Sequence, residues 1–160
     1  MKILKFIALL LFLTGISACK NDDAASLNNI EDLYAQPLPV IKKCVQGKWK
    51  WLYISQDGVI GFIPLSHTFV EITNDNIIIN QDRDEDVYPK GRLSYQWINK
   101  EVFSYMMSQD SISTYVMQFG NGQSTTGWYF HSVKNDSLYV CVDFPDAPQF
   151  HSTYLFSKIK

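Results

Sequence analysis

Few residues in this 160-residue chain could act on a substrate, and their spacing does not suit them to it. His67, His131 and His151 lie far apart, each in or beside a strand-like run. No two share the spacing that puts imidazoles on one helical face for a zinc ion, and no serine sits in a nucleophile elbow. A lone histidine in a strand reads as a structural residue, so no catalytic residue is assigned and an enzyme is not expected. Asp82-Arg83-Asp84-Glu85-Asp86 sets carboxylates on alternate positions, as a calcium loop would. Val87 then stands where such a loop needs glycine, and Leu93 where it needs a bidentate glutamate. That run reads as a solvated turn; no metal and no cofactor are expected.

Cysteine offers clearer chemistry. Lys2 and Lys5 precede an almost unbroken apolar run from Ile3 to Leu13, too short to span a bilayer, and small residues follow it. Ile16-Ser17-Ala18-Cys19 resembles the lipobox of bacterial lipoproteins. The resemblance implies cleavage after residue 18, a diacylglyceryl group on the Cys19 thiol and a membrane partner through that anchor. One acyl chain holds a protein only marginally, and several hold it stably. Lys20-Asn21-Asp22-Asp23 resembles a surface-export signal of Bacteroides-type Gram-negative bacteria, although Asp22 to Asn29 is also a polar, flexible linker in its own right. No aspartate adjoins Cys19, so the expected location is the outer membrane, facing the periplasm or the cell surface. Asp110-Ser111-Ile112 and Asp136-Ser137-Leu138 resemble O-glycosylation sites of such exported proteins.

Cys44 and Cys141 remain. In an oxidising compartment they could pair, closing a long loop worth about 4–5 kcal/mol in the chain-entropy model. They could equally be two separate buried thiols acting as small hydrophobes. No paired-cysteine motif points to zinc or redox work.

The elements that position these residues are strands. The expected organisation is a signal segment over 1–18, a lipidated tether over 19–33 and one domain over 34–160. Removing Lys2 and Lys5 from 14 basic and 16 acidic residues leaves a mature net charge of −4. No basic patch stands out, which argues against nucleic acid. Residues 30–46 are the helical candidate: Pro39 suits a first turn, Val40, Ile41, Cys44 and Val45 share a face, and Gly47 can end it. Strand-like runs follow at 48–55, 67–73, 76–81, 92–99, 102–107, 112–119, 126–133, 137–144 and 150–158. Turn signals separate them, among them Asn74-Asp75, Asn99-Lys100 and Asn135-Asp136.

Alternation assigns an inner face. Trp49, Trp51 and Tyr53 share one side of the first strand, opposite Lys48 and Lys50. Tyr95 with Trp97, Phe103 with Tyr105, Tyr115 with Met117 and Phe119, Trp128 with Phe130, and Tyr154 with Phe156 continue that side. A sheet with one aromatic face rolls up to hide it, and closure removes its edges. The expected fold is all-β: a single antiparallel up-and-down barrel of about eight strands, preceded by a short helix.

Gly47-Lys48-Trp49, opening the first strand after that helix, resembles the G-x-W signature of lipocalins. The resemblance implies that Trp49 packs beneath a cation from the last strand, Lys158 or Lys160. Gln36-Pro37-Leu38, Gln46-Gly47-Lys48-Trp49-Lys50, Thr114-Tyr115-Val116-Met117-Gln118-Phe119 and Asn135-Asp136-Ser137-Leu138 are similar to segments of lipocalin-like lipoproteins of Bacteroides-type bacteria. The second lipocalin signature is absent, with Ser113-Thr114-Tyr115 a partial echo. No arginine lies near the C-terminus.

Two functions follow as expectations. One is a non-catalytic binding module for a small lipophilic or aromatic ligand, its pocket lined by Trp51, Tyr53, Trp97, Tyr105, Tyr115 and Trp128. Ile60 and Phe62, on the apolar loop Gly58 to Leu65, would gate that pocket. The other is a filled barrel, plugged by the same loop, that meets an envelope protein partner through its outer loops. A carbohydrate binder would instead need aromatics standing on an exposed face.

Overall fold

The computed structural model describes residues 27–56, 59–64, 68–81, 91–104, 110–120, 125–143 and 152–160. Cys19, Tyr105, the acidic run at 82–86 and the histidines His67 and His151 lie outside them. The chain begins with β1 (Asn29–Ile30), a 3-10 turn (Leu33–Ala35) and α1 (Leu38–Val45). Nine strands follow: β2 (Gly47–Gln56), β3 (Val59–Pro64), β4 (Thr68–Ile72), β5 (Asn76–Gln81), β6 (Gly91–Ser104), β7 (Asp110–Gly120), β8 (Thr125–Lys134), β9 (Ser137–Asp143) and β10 (Ser152–Lys158).

Eight of these strands form a closed antiparallel ring in the order β8-β7-β6-β5-β4-β2-β10-β9, with β9 returning to β8. The fold is all-β, a barrel-like ring preceded by one short helix. Asn135 and Asp136 carry φ of 50° and 60°, the paired left-handed geometry of a tight hairpin turn between β8 and β9. Gly47, at φ +131°, lets the chain leave α1 and enter β2 without a side-chain clash.

The inner face is aromatic. Trp49, Trp51, Trp128, Phe130, Tyr154 and Phe156 are all fully buried. Trp51 meets Tyr154 at 4.6 Å and Phe156 at 5.1 Å between ring centroids, and Phe119 meets Trp128 edge-on at 5.0 Å. Tyr95, Trp97 and Tyr115 pack against this core while half-buried.

Two bulges break the alternation read from the sequence. Leu155 pairs with Tyr53 but Phe156 pairs with Trp51, so Leu52 is an extra residue in β2. Trp49 and Trp51 face inward; beyond the bulge Ile54 takes the inner side and Tyr53 turns outward. Tyr53 is therefore not in the interior. In β8, Phe130 pairs with Val140 and Ser132 with Tyr139, which leaves His131 as the extra residue and returns Val133 to the core.

Other expectations also change. The residues at 92–99 and 102–107 are not two strands around a turn at Asn99-Lys100. Strand β6 runs unbroken through both, because it pairs with β7 from Tyr95↔Phe119 to Ser104↔Asp110. Phe103 stands 43% exposed instead of facing the core. Residues 59–64 are not a loop but strand β3, hairpinned onto β2; the side chains of Ile60 and Phe62 lie outside the described part. Cys44 and Cys141 do not form a disulfide. Cys44 belongs to the interior core and Cys141 to an outer cluster, so the barrel wall lies between them.

That outer cluster marks an irregular seam. β7 pairs with β8 only from Met117 to Gly120. Past that point β7 and β8 part, and the N-terminal segment fills the gap. Leu33 is fully buried in the core, and Thr114 donates its Oγ1 hydrogen to the Tyr34 carbonyl at 2.8 Å. The free end of the β6–β7 ribbon packs Val102, Ile112 and Val116 against Tyr129 and Cys141, and Lys100 meets Asp143 at 2.6 Å. Gly127 permits this contact: a Cβ there would come within 2.8 Å of Val116 Cγ1 and 2.9 Å of Asp143 Oδ2.

Gly127→Ala is expected to destabilise the protein by about 1–3 kcal/mol through overpacking, read as a fall in the urea midpoint. Trp49→Ala is expected to lose about 3–5 kcal/mol in the same assay.

Candidate functional site

Trp49 is held from three sides. Its indole N–H donates to the Val45 carbonyl at the end of α1, at 2.8 Å. Lys158 Nζ lies 5.5 Å from the ring centroid, within cation–π range. Lys158 also pairs with Trp49 across the β10–β2 ladder. Lys160 is not this cation, since its Nζ pairs with Asp136 at 3.0 Å. Gly47 lies against the same lysine, its Cβ position 3.9 Å from Lys158 Cε. These residues form a structural latch at the barrel's base, not a ligand site.

The interior around Trp51 and Trp128 is tightly packed. Trp49, Val70, Ile72, Trp128, Leu138, Val140 and Phe156 enclose a space too tight for a single water. The structure therefore brings Trp51 and Trp128 into contact within the core, at 5.9 Å between ring centroids, while Trp97 and Tyr115 pack against that core from β6 and β7. Burial raises the Tyr95 hydroxyl pKa, and the Trp97 indole beside it acts in the opposite direction. That hydroxyl donates toward the carbonyls of Thr73 and Asn74, at 2.6 and 2.9 Å, and so ties β6 to the β4–β5 turn.

No protein-family model matches the chain, and no curated protein and no solved structure matches it.

The outer face holds the one described concentration of varied chemistry. A cleft of about 380 Å³ is lined by Glu31, Asp32, His131, Ser132, Lys134 and Tyr139. The β8 bulge aims His131 into this region, where its ring lies 5.7 Å from that of Tyr34. The Tyr34 hydroxyl donates to Asp32 Oδ1 at 3.2 Å, and Lys134 Nζ meets Glu31 Oε1 at 3.2 Å. β1 holds the acidic pair in place by pairing Asn29 with Lys134 and Ile30 with Val133. Burial lowers the His131 pKa, and the Asp32 carboxylate opposes that shift. At neutral pH the imidazole is uncharged, with one donor and one acceptor nitrogen. Among the described residues no group of three or more metal-ligating side chains gathers here or elsewhere.

This cleft is not legible in the sequence. Its residues come from two distant segments, and nothing in the alternation signals an inserted residue at His131. The one available hint was the failure of Val133 to fit the parity of Trp128 and Phe130.

Two measurements check this description. The unfolded chain protonates His131 near pH 6.5 and the native protein only at lower pH, so stability falls as pH drops below about 6.5. His131→Gln is expected to remove that part of the pH slope in thermal melts, relative to the native chain. Burial pushes the Cys141 thiol pKa up to about 11, against the Tyr129 and Thr153 hydroxyls that oppose it, and burial also raises that of Cys44. Neither thiol is expected to react with iodoacetamide at pH 8 until urea unfolds the protein, and both are then modified.

Proposed function

We propose that the protein is a lipid-anchored, non-catalytic binding module of the outer membrane, a lipocalin-like barrel that meets its partner with its outer face. Cys19, at the end of its lipobox-like segment, supplies the anchor. The observation that carries the outer-face reading is the close packing of the described interior. Trp49, Trp51, Trp128, Tyr154 and Phe156 are each 1% exposed or less, and the space among their neighbours admits no water. A barrel filled by its own aromatic rings is a rigid platform, and recognition then falls to surfaces outside it.

One observation favours the alternative, a small lipophilic or aromatic ligand inside the barrel. The Trp128 indole N–H is fully buried and no acceptor meets it among the described residues. An unmet buried donor costs about 1–3 kcal/mol, and a ligand carbonyl or hydroxyl would relieve it. The packing outweighs this, because edge-on rings of Phe119, Trp51 and Tyr154 surround the indole and offer weak acceptor faces.

Native mass spectrometry of the intact protein, released gently from its membrane, separates the two. The acylated polypeptide is expected without a stoichiometric small molecule, and Trp51→Phe is expected to change stability only. A co-purifying lipophile whose occupancy falls in Trp51→Phe would overturn the outer-face reading in favour of the pocket.

A further inference from the structure

The two bulges act together on the outer face. Reading straight across the ladder, Ser132 opposes Tyr139, Tyr139 opposes Leu155, and Leu155 opposes Tyr53. One row thus crosses four neighbouring strands, β8, β9, β10 and β2, and starts in the His131 cleft. Were β2 and β8 regular strands with no bulge, Tyr53 and Ser132 would point into the barrel. Strands lie about 4.8 Å apart, so the two tyrosines stand roughly 10 Å from each other, flanking Leu155. Leu155 is only 7% exposed despite its outward position. The row is an apolar and aromatic track with hydroxyls at its edges, and the cleft at its end is polar.

The cleft's polarity selects a ligand class. Glu31 and Asp32 accept hydrogen bonds, Lys134 donates them, and Ser132, Tyr139 and neutral His131 can do either. A cation would compete with Lys134, which already meets Glu31. An anion would face two carboxylates. A neutral molecule rich in hydroxyl groups offers donors to the carboxylates and acceptors to the lysine, and its C–H faces can lie against tyrosine rings. The volume of about 380 Å³ falls in the range of small-molecule clefts, roughly 300–1,000 Å³.

We propose that the cleft at His131, continued by Tyr139 and Tyr53 along the outer face, binds a neutral polyhydroxyl ligand, a glycan chain. The inference rests on the outer-face reading above and names its ligand. Asp32 and Glu31 hold hydroxyl pairs, Tyr139 supplies the stacking surface nearest the cleft, and Tyr53 extends it.

The test uses the intact mature protein in phospholipid nanodiscs, with histidine rings labelled for NMR. Maltotriose, cellotriose, xylotriose and chitotriose are titrated separately to about 10 mM, with arginine and sodium sulfate as charged controls; affinities follow from the shifts. At least one trisaccharide is expected to move the His131 ring signals saturably. Asp32→Asn and Tyr139→Ala are each expected to weaken that binding by roughly tenfold or more while the melting temperature stays near that of the native chain. A Trp51→Phe protein, altered only inside the barrel, is expected to bind as the native one does. Silence of His131 toward all four sugars would overturn the proposal, as would stronger binding of either charged control. Full binding in properly folded Asp32→Asn and Tyr139→Ala would also overturn it. These failures leave the outer-face reading standing, whereas a lipophile inside the barrel removes that reading without touching the sugar titration.

Discussion

The barrel stands on one contact, the seating of Trp49 between α1 and the last strand. Closing the ring requires β2 and β10, nearly a full domain apart in sequence, to pair along their length, and loop closure over such a distance opposes it entropically. Trp49 offsets that cost at the point of closure. Its N–H takes the carbonyl of Val45, its face takes the Lys158 ammonium, and the next residue out, Ile159, donates its backbone N–H to the Lys48 carbonyl at 2.9 Å. Helix, first strand and last strand are thereby joined through one side chain. Everything stacked above it, from Phe156 and Trp51 to Tyr154 and Trp128, inherits its register from that joint.

Most of this architecture can be read in the amino-acid order. The strands, the helix with Pro39 in its first turn, the Asn135-Asp136 hairpin and the inner rows Tyr115-Met117-Phe119, Trp128-Phe130 and Tyr154-Phe156 all follow from period and turn chemistry. Two exceptions, Tyr53 and His131, share one physical cause. A bulge adds a residue without changing the chemistry of the residues around it, so Trp51-Leu52-Tyr53-Ile54 looks like uninterrupted alternation until pairing with β10 fixes which residue is surplus. His131 is hidden in the same way, and with it the cleft. The apparent break in the long β6 strand has a related cause. Asn99-Lys100 has turn composition, but a partner strand matched residue for residue overrides local preference.

The seam between β7 and β8 was invisible for a different reason. A closed ring predicts that each strand is paired on both edges along its length. Here β7 leaves β8 after Met117 and the N-terminal segment enters the gap, with Leu33 in the core and Tyr34 accepting from Thr114. No local pattern encodes this, because Leu33 and Thr114 are linked only by the shape of the space that remains. The same opening lets the β6–β7 ribbon fold its Val102 and Val116 face over Tyr129 and Cys141. That explains why two cysteines in one small domain end on opposite sides of the wall as inert thiols.

The N-terminal segment in this seam also bounds how far the barrel can stand from the anchor proposed at Cys19. Leu27 already packs against the core, eight residue steps along the chain from Cys19. Fully extended, that stretch reaches about 26–29 Å. With Cys19 acylated as proposed, the barrel is kept within roughly its own length of the bilayer, and β1 and the 3-10 turn form its tethered side. Glu31 and Asp32 belong to that side, so two of the residues lining the cleft with His131 lie close in sequence to the proposed anchor. A site so placed depends on the docking of residues 29–35: releasing the segment would remove its carboxylates and expose Leu33 together. The filled interior makes such release costly, because Leu33 and Ile30 are part of the same packed core as Trp49. The arrangement is consistent as a whole. A rigid interior holds the N-terminal segment down, and the segment in turn completes the only described cleft where acid, base, hydroxyl and ring meet.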